Sequence, residues 1–447
     1  MGGHLPRLAA LAGPVYVELL SGVVASVIGT FWVARLGGTA VAAVALAGTV
    51  ENLLLGLVLM VSSGTAVRLS RAHGAGDHGE AARTTRAAWW LCAAGSLALA
   101  VPGFLLRDRL AGAFLDGEAA ARAADYFTVA FPAFVLFFAQ RVADELFKGA
   151  GDSRTPMRIA LLSNALLLVL DPLLILGPGP LPALGVTGAA LALTASRAIA
   201  LAVTLRLRSR AGAAVPKPGA APRGTRAAAL RIVRAGAPFS LDFTARMAVG
   251  TAQLGLVAGF GVAAVAGYGI GYRLLLVVTM AFYAVRQAAA LRASHLAGAG
   301  DGGALPPLRR AVVRLAAVLG AGTAAASAAL AAPLTALFTD DRAVAAQSVG
   351  FLRMAAVYLL PYALVVALGG VHQATGAGRA LACSVLLGLG AQLACAVGLS
   401  GPLGLNGVWL GQAVGAVVQL VALHLLTRRP TAPVAAVGAA RTLQPVE

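Results

Sequence analysis

Three carboxylate side chains lie within long apolar stretches in the first half of the chain: Glu18, Glu51 and Asp171. A carboxylate near the centre of a membrane helix costs about 2.5–3.5 kcal/mol, so each one needs a partner or a function. None of the three has a lysine or arginine four residues away on its own helix. Unpaired acids inside a membrane mark ion pathways, and a carboxyl group in low-dielectric surroundings can bind a proton near neutral pH. We predict that these acids, with Asn164 two helical turns before Asp171, bind a coupling ion.

A second group of polar residues lies in the other half of the chain, where Asp242 precedes Arg246 by one helical turn. This spacing fits a structural ion pair within one helix and fits a binding role equally well. We predict that both residues line a substrate cavity, together with Gln253 and the aromatic pair Phe31 and Trp32. Aromatic residues at this spacing also occur on packing and lipid-facing surfaces, and the sequence leaves that alternative open.

A third charged group lies between Arg141 and Lys148, where Asp144 and Glu145 stand between two basic residues. Long charged side chains near the end of a membrane helix can bury their methylene groups while their charge reaches the interface. We therefore expect this group to form an interfacial cluster at the membrane surface.

Membrane helices must position all these residues, because the composition excludes a soluble globular protein. Of the 447 residues, 59% are hydrophobic and 12% are charged, and the mean hydropathy is +0.84. Crossing a bilayer takes about 20 apolar residues. Twelve stretches of that kind recur along the chain, centred near residues 21, 52, 97, 136, 167, 195, 245, 275, 322, 357, 390 and 416. The sequence predicts an all-α integral membrane protein with twelve transmembrane helices.

The chain contains an internal repeat with an offset of 224 residues. The segment 14–37 is repeated at 238–261, with proline at the first position, an acid at the fifth and glycine at the last. Further matches pair Gly76-Asp77 with Gly300-Asp301, Gly149-Ala150-Gly151 with Gly376-Ala377-Gly378, and Gly185-Val186 with Gly407-Val408. A unit of this length is a half-molecule and not a solenoid repeat. We predict two homologous six-helix lobes, related by a pseudo-two-fold axis along the membrane normal.

Several other classes of protein are excluded by residue types and spacing. The segments 74–79 and 298–303 match GxGxxG, but neither follows a strand, so both are predicted to be tight turns and not dinucleotide sites. The net charge of +18 is not arranged as a basic face interleaved with aromatic residues, which argues against nucleic-acid binding. The three cysteines lie in apolar stretches and predict no disulfide framework. The six histidines are scattered, which predicts neither a metal site nor an enzyme.

The basic residues cluster in alternate loops, which predicts the orientation in the membrane. Most of the 35 lysines and arginines lie on the side of the N-terminus, which places both termini in the cytoplasm of a cell-membrane protein. We predict an N-terminal lobe at 1–205, a basic cytoplasmic linker at 206–234, a C-terminal lobe at 235–429 and a disordered tail at 430–447.

Segments along nearly the whole chain resemble the multidrug and toxic compound extrusion (MATE) transporters. The resemblance is carried by GTFWVARLGGTAVAAVAL, KGAGDSRTP, SNALLLVLDPLLI, GVTGAALALTASR and QATGAGRA, in that order. It is strongest to the branch related to the DNA-damage-inducible F protein. The resemblance implies a cation-coupled antiporter that exchanges protons or sodium for amphipathic organic molecules, by alternating access through a cavity between two lobes. It implies a monomer that needs no cofactor beyond the coupling ion and takes amphipathic or cationic substrates.

The chain departs from the family pattern at the proton site. Gly29 stands where many members have aspartate, Leu167 replaces an asparagine, and Leu193 replaces a threonine beside Thr194. Only Asp171 remains at its matching position. Because Glu18 and Gly29 are eleven residues, or about three turns, apart on one face of a helix, we expect Glu18 to take over part of the lost role.

Three other functions remain as alternatives. A flippase for a lipid-linked cell-envelope precursor is the nearest, although the extra helices common in that class are not evident. A membrane-embedded enzyme would need clustered acids or metal ligands at one face. A channel is the least favoured, because two unlike lobes suit alternating access about a midplane site.

Overall fold

The computed structural model describes residues 3–178, 182–210 and 224–428, and within these ranges the regular structure is entirely helical. The first seven α-helices, the N-lobe, are α1 (His4–Val33), α2 (Gly38–Gly74), α3 (His78–Leu105), α4 (Arg107–Gly112), α5 (Gly117–Gly149), α6 (Arg154–Leu176) and α7 (Gly185–Arg210). The next seven, the C-lobe, are α8 (Thr225–Ala258), α9 (Val262–Gly298), α10 (Leu305–Ala329), α11 (Ala331–Ala336), α12 (Arg342–Ala374), α13 (Gly378–Leu403) and α14 (Leu405–Arg428). The predicted all-α fold is confirmed.

Twelve of these helices are long, and α4 and α11 are short connections of six residues each. Within the described ranges, eleven long helices are apolar enough to cross a membrane. The twelfth, α8, has 34 residues but carries the charges of Arg226, Arg231, Arg234, Asp242 and Arg246. It is long enough to span a bilayer at about 1.5 Å per residue, and it packs against α2, α3 and α13. The predicted arrangement of six long helices in each lobe is therefore found.

The turns repeat between the lobes with the same backbone geometry. Gly37 and Gly261 have φ of 99° and 97°, and Gly76 and Gly300 have φ of 65° and 72°. Glycine is required there because side chains disfavour positive φ. Asp77 then caps α3 by accepting a hydrogen bond from the backbone N–H of Glu80. The prediction of tight turns at the two GxGxxG segments is confirmed.

Two details of the sequence-based assignment differ in the structure. By backbone geometry, Gly151 (φ 93°) corresponds to Gly376 (φ 86°), an offset of 225 and not the 227 given by the sequence pairing of Gly149 with Gly376. The predicted linker 206–234 is helical at both ends, because α7 continues to Arg210 and α8 begins at Thr225. Residues 211–223 and the predicted tail 430–447 lie outside the described residues.

The lobes meet at the end of the bundle where α1 begins, which we call the N-face. A methyl group on Gly74 would lie 2.0 Å from the carbonyl oxygen of His295, and one on Gly298 would lie 2.0 Å from that of Arg71. Adding 224 to the numbers of Gly74 and Arg71 gives Gly298 and His295, so each contact is the repeat of the other. Such reciprocity is the signature of a two-fold relation, so the ends of α2 and α9 cross at the pseudo-symmetry axis.

Further contacts between the lobes lie in the same region. Ser70 Oγ donates to the Leu291 carbonyl at 2.8 Å, and Gln373 Nε2 donates to Ser63 Oγ at 2.7 Å. With the bond of Ser240 to the Gly56 carbonyl, these inter-lobe hydrogen bonds of α2 fall between Gly56 and Ser70, in the half of the helix nearer the N-face. We infer that the lobes diverge away from the N-face and leave a cleft that opens at the opposite face.

Candidate functional site

Asp171 is a buried acid for which the structure shows no partner. It lies on α6, and its side chain is 2% exposed. Among the described residues it forms no ion pair, and its Oδ2 is buried without a hydrogen-bond donor. A buried carboxylate without a compensating group is strongly disfavoured, so this side chain requires a bound cation or a proton. The arrangement suits reversible binding of a coupling ion.

The level of Asp171 in the bundle follows from a hydrogen bond between α6 and α1. Asn164 Nδ2 donates to the Ser21 carbonyl at 3.0 Å. Both helices begin at the N-face and run in parallel, so Asp171, seven residues beyond Asn164, lies at the level of Ile28 and Gly29 on α1. A methyl group on Gly29 would meet no atom within 4 Å. Gly29, at the position of the missing aspartate, therefore has open space around it at about the level of Asp171.

Glu51 is paired across helices, and the interpretation of it as an unpaired acid is wrong. Its Oε1 lies 2.7 Å from Arg197 Nη1 on α7. The pair lines a cavity of about 40 Å³ between α2, α5 and α7, together with Thr194 and Tyr126. Tyr126 lies within electrostatic range of Asp171, which places this cavity in the same region of the N-lobe. The volume suffices for one water molecule, at about 30 Å³ each.

Glu18 is also paired, against the prediction from the sequence. Its Oε1 lies 2.9 Å from Lys148 Nζ and 3.6 Å from Arg141 Nη1, both on α5. The pairing was not predicted because the partners are more than a hundred residues away in sequence. Along the parallel helices, Glu18 lies about ten residues, or roughly 15 Å, closer to the N-face than Asp171. The structure does not bring these two predicted coupling residues together.

The side chains of the cluster around Lys148 are buried within the protein near the end of α5, so they do not extend to solvent as the sequence suggested. Lys148 is 2% exposed, and Asp144 and Glu145 are each 7% exposed. Lys148 Nζ lies 2.6 Å from Glu145 Oε1 as well as contacting Glu18. The other lobe contributes Gln287, whose Nε2 donates to both oxygens of Glu145. This cluster thus extends across the interface between the lobes.

The C-lobe contains a separate buried cluster around Asp242. Asp242 accepts hydrogen bonds from Arg246 Nε at 2.8 Å and from Arg286 Nη1. Arg246 also donates to Gln419 at 2.8 Å, and its guanidinium lies 4.9 Å from the ring centre of Tyr362. The predicted pair is present, and Arg286 joins it from the next helix, α9. Two guanidinium groups and one carboxylate leave this cluster with one net positive charge.

The other predicted cavity residues lie in two places. Gln253 is 2% exposed and accepts a hydrogen bond from Gln392 at 3.1 Å, on the same face of α8 as Arg246. Phe31 is 57% exposed near the opposite end of α1 in the N-lobe, where it packs edge-on against Trp32. The structure therefore places the polar residues together and the aromatic pair apart from them. Whether either group contacts substrate stays a prediction.

Comparison with known proteins identifies the family. The MatE family model matches residues 14–173 and 238–397, two segments that begin 224 residues apart, as the internal repeat does. The chain belongs to the MatE family. Members of this family are transporters, so the resemblance seen in the sequence is confirmed, as is the exclusion of an enzyme. The narrower assignment to the DNA-damage-inducible F branch stays a prediction.

Individual relatives and solved structures agree with the family. A probable multidrug resistance protein NorM of Deinococcus radiodurans is 29% identical over 449 residues, 95% of either chain. An FAD transporter of Shewanella oneidensis is 29% identical over 166 residues, 36% of either chain. A mutant of the Vibrio cholerae MATE transporter VcmN has the same fold, with a TM-score of 0.89 at 19% identity over 95% of this chain and 96% of that one. An outward-facing multidrug resistance MATE family transporter matches with a TM-score of 0.87 at 21% identity, covering 95% of both chains.

Proposed function

We propose that this MatE protein is a proton-coupled antiporter that exports amphipathic organic compounds across the cell membrane, with Asp171 as the coupling group. The observation that carries the proposal is the burial of Asp171 without an ion pair among the described residues. A coupling group must bind its ion in one state of the cycle and release it in another. A carboxylate that is already neutralised by a fixed arginine or lysine has less need of a mobile cation.

The other acids inside the lobes fail this criterion. Glu18 is held by Lys148, and Glu51 by Arg197, at 2.9 and 2.7 Å. Asp242 is held by two arginines of the C-lobe. We therefore assign Glu18, Glu51 and Asp242 to structure or substrate binding, and the expectation that Glu18 replaces the aspartate missing at Gly29 is not part of the proposal.

The surroundings of Asp171 favour a proton over sodium as the coupling ion. Hard metal cations bind through several oxygen ligands. One turn before Asp171 stands Leu167, which is 3% exposed and supplies no oxygen. The nearby Ser21 carbonyl oxygen already accepts a hydrogen bond from the Asn164 amide nitrogen. A proton needs only the carboxylate, whose neutral form is compatible with burial.

We further propose that the N-face is cytoplasmic, with both termini on that side. The basic loops support this orientation through the positive-inside rule. The lobes meet at the N-face, at the Gly74 and Gly298 contacts, so the described state has its cleft directed outward. Transport then requires a second state in which the N-face contacts separate and the cleft closes at the other side.

The C-lobe cluster supports a refinement of the substrate class. The two positive charges of Arg246 and Arg286 outnumber the single negative charge of Asp242 by one. The guanidinium of Arg246 lies against the ring of Tyr362, and that of Arg286 lies against the ring of Phe239. A cationic group brought close to this cluster would be repelled, whereas an acidic group would be attracted. We propose that amphipathic substrates with an acidic group are preferred over the cationic ones suggested by the sequence.

The test is substrate transport in proteoliposomes with an imposed pH gradient. We expect Asp171→Asn to abolish accumulation against the gradient while counterflow exchange of substrate continues. Asp125→Asn makes the same chemical change at an exposed position of α5 and should leave both activities intact. Accumulation by Asp171→Asn at the wild-type level would overturn the assignment. Transport of a lipid-linked precursor without any gradient would favour the flippase alternative instead.

A further inference from the structure

A cavity of about 240 Å³ lies at the N-face of the C-lobe, away from the cleft between the lobes. Its walls come from the start of α10 and the ends of α12 and α14. The basic side chains of Arg309, His372 and His424 share this cavity with aliphatic residues, and no acid lines it. Its volume is about that of eight water molecules at roughly 30 Å³ each, enough for a phosphate group.

His372 gives the cavity a buried group without a partner. Its side chain is 7% exposed, and its Nε2 is buried with no hydrogen-bond partner. A buried ring nitrogen that makes no hydrogen bond is costly, so a ligand that completes this bond would be stabilised. Arg309 lies within electrostatic range of the ring, which disfavours a metal cation and favours an anion. Within the described residues, neither Arg309 nor His424 forms an ion pair.

The cavity continues into an apolar surface that faces away from the protein. Val421 and Leu425 line it and are 50% and 55% exposed, and Val417, one turn further along α14, is 49% exposed. These three residues are four apart, so they form one stripe on α14. A soluble anion would use only the basic end. A phospholipid would use both, with its phosphate in the cavity and an acyl chain along the stripe.

We propose that this cavity is a binding site for an anionic phospholipid, with the head-group phosphate held by Arg309, His372 and His424. Basic pockets between membrane helices at the cytoplasmic side bind such head groups. None of its lining residues belongs to the Asp242 cluster and Asp171 lies in the other lobe, so the site does not depend on the proposed coupling mechanism and rests only on the proposed cytoplasmic orientation of the N-face.

The experiment uses the full-length protein in detergent, with phosphatidylglycerol and phosphatidylcholine of identical acyl chains as probes and native mass spectrometry as the readout. We expect wild type to retain phosphatidylglycerol in preference. The double variant Arg309→Gln, His424→Gln should weaken phosphatidylglycerol binding about thirtyfold, since each basic group near an anionic lipid contributes roughly 1 kcal/mol. Both side chains are exposed, so folding is not at risk. His372→Leu should weaken binding as well.

Arg310→Gln is the matched control, because Arg310 is the exposed neighbour of Arg309 and does not line the cavity. It should bind phosphatidylglycerol as wild type does. Equal retention of the two lipids by wild type would overturn the proposal. So would a double variant that binds like the Arg310→Gln control. A third contrary result would be competition by inorganic phosphate at the same concentration as the lipid, because the site would then recognise a soluble anion.

Discussion

Gln287 of the C-lobe donates from its Nε2 to both carboxylate oxygens of Glu145 in the N-lobe, at 2.8 and 3.0 Å. Glu145 is in turn paired with Lys148, which also holds Glu18. A single amide thus connects the charged cluster of one lobe to a helix of the other. This connection lies in the half of the molecule where the lobes meet, so it must break when the N-face opens.

Removing this connection should favour the state that is open at the N-face. In Gln287→Leu, the Glu145 carboxylate loses one hydrogen-bond donor, and a bond to a charged group contributes about 1.5–3 kcal/mol. We expect increased accessibility of a cysteine placed near Ser63 on α2, measured by its labelling rate in membranes. Gln392→Leu removes a comparable amide bond within the C-lobe and should leave the labelling rate unchanged. An unaltered rate in Gln287→Leu would show that the link does not bias the equilibrium.

The stability provided by the Lys148 cluster should depend more on the lysine cation than on any single carboxylate. Lys148→Met leaves Glu18 and Glu145 buried with one basic neighbour fewer, and uncompensated buried charges cost about 3–5 kcal/mol. In Glu18→Gln, Lys148 keeps Glu145 as its partner. We therefore expect a clearly larger loss of thermal stability in detergent for Lys148→Met than for Glu18→Gln. Equal losses would contradict a cluster organised around the lysine.

The close contact between the ends of α2 and α9 at the pseudo-symmetry axis should not tolerate a side chain in place of glycine. In Gly298→Ala, the new methyl group would lie 2.0 Å from the Arg71 carbonyl oxygen, and backbone cannot move aside cheaply. The lobes should be forced apart at the N-face, with faster labelling of a cysteine near Ser63 and slower transport. Gly269→Ala, on the same helix with no atom within 4 Å, is the control and should behave as wild type. Wild-type labelling of Gly298→Ala would show that the helices can shift to accept the methyl group.

Asp242 should influence substrate preference through the charge of its cluster. Asp242→Asn leaves Arg246 and Arg286 without their carboxylate and raises the net charge from +1 to +2. We expect the ratio of acidic to cationic substrate transported to rise several-fold, measured with matched dyes in the same vesicles. Lower protein stability is expected as well, so transport should be normalised to folded protein. A ratio equal to that of wild type would place the cluster outside the substrate path.

The sequence was sufficient to predict the architecture because apolar periodicity and the repeat are properties of the chain itself. All twelve predicted centres fall within long helices, and the turn glycines near Gly76 and Gly300 have the predicted geometry. Asp171 was recognised by its position in a family pattern. The structure adds that its carboxylate is buried without a pairing charge.

Ion pairs between helices could not be predicted in the same way. Whether an acid is paired depends on side chains that the fold brings from elsewhere, such as Arg197 for Glu51 and Lys148 for Glu18. By contrast, the ion pair of Asp242 with Arg246 can be predicted from the sequence, because both residues belong to one helix. A spacing of four residues in the sequence therefore does not distinguish Asp171 from acids that are paired across helices.

Backbone, and not side chains, forms the closure between the lobes at Gly74 and Gly298. Surfaces of this kind can part and rejoin without any side chain changing its rotamer, because the same dispersion attraction returns whenever the two backbones meet again. Interlocked side chains would have to withdraw and reinsert at every cycle. At these two glycines, opening and closing therefore need no change of side-chain rotamer, and the side-chain hydrogen bonds nearby, such as that of Gln287 to Glu145, are the ones that must break and re-form.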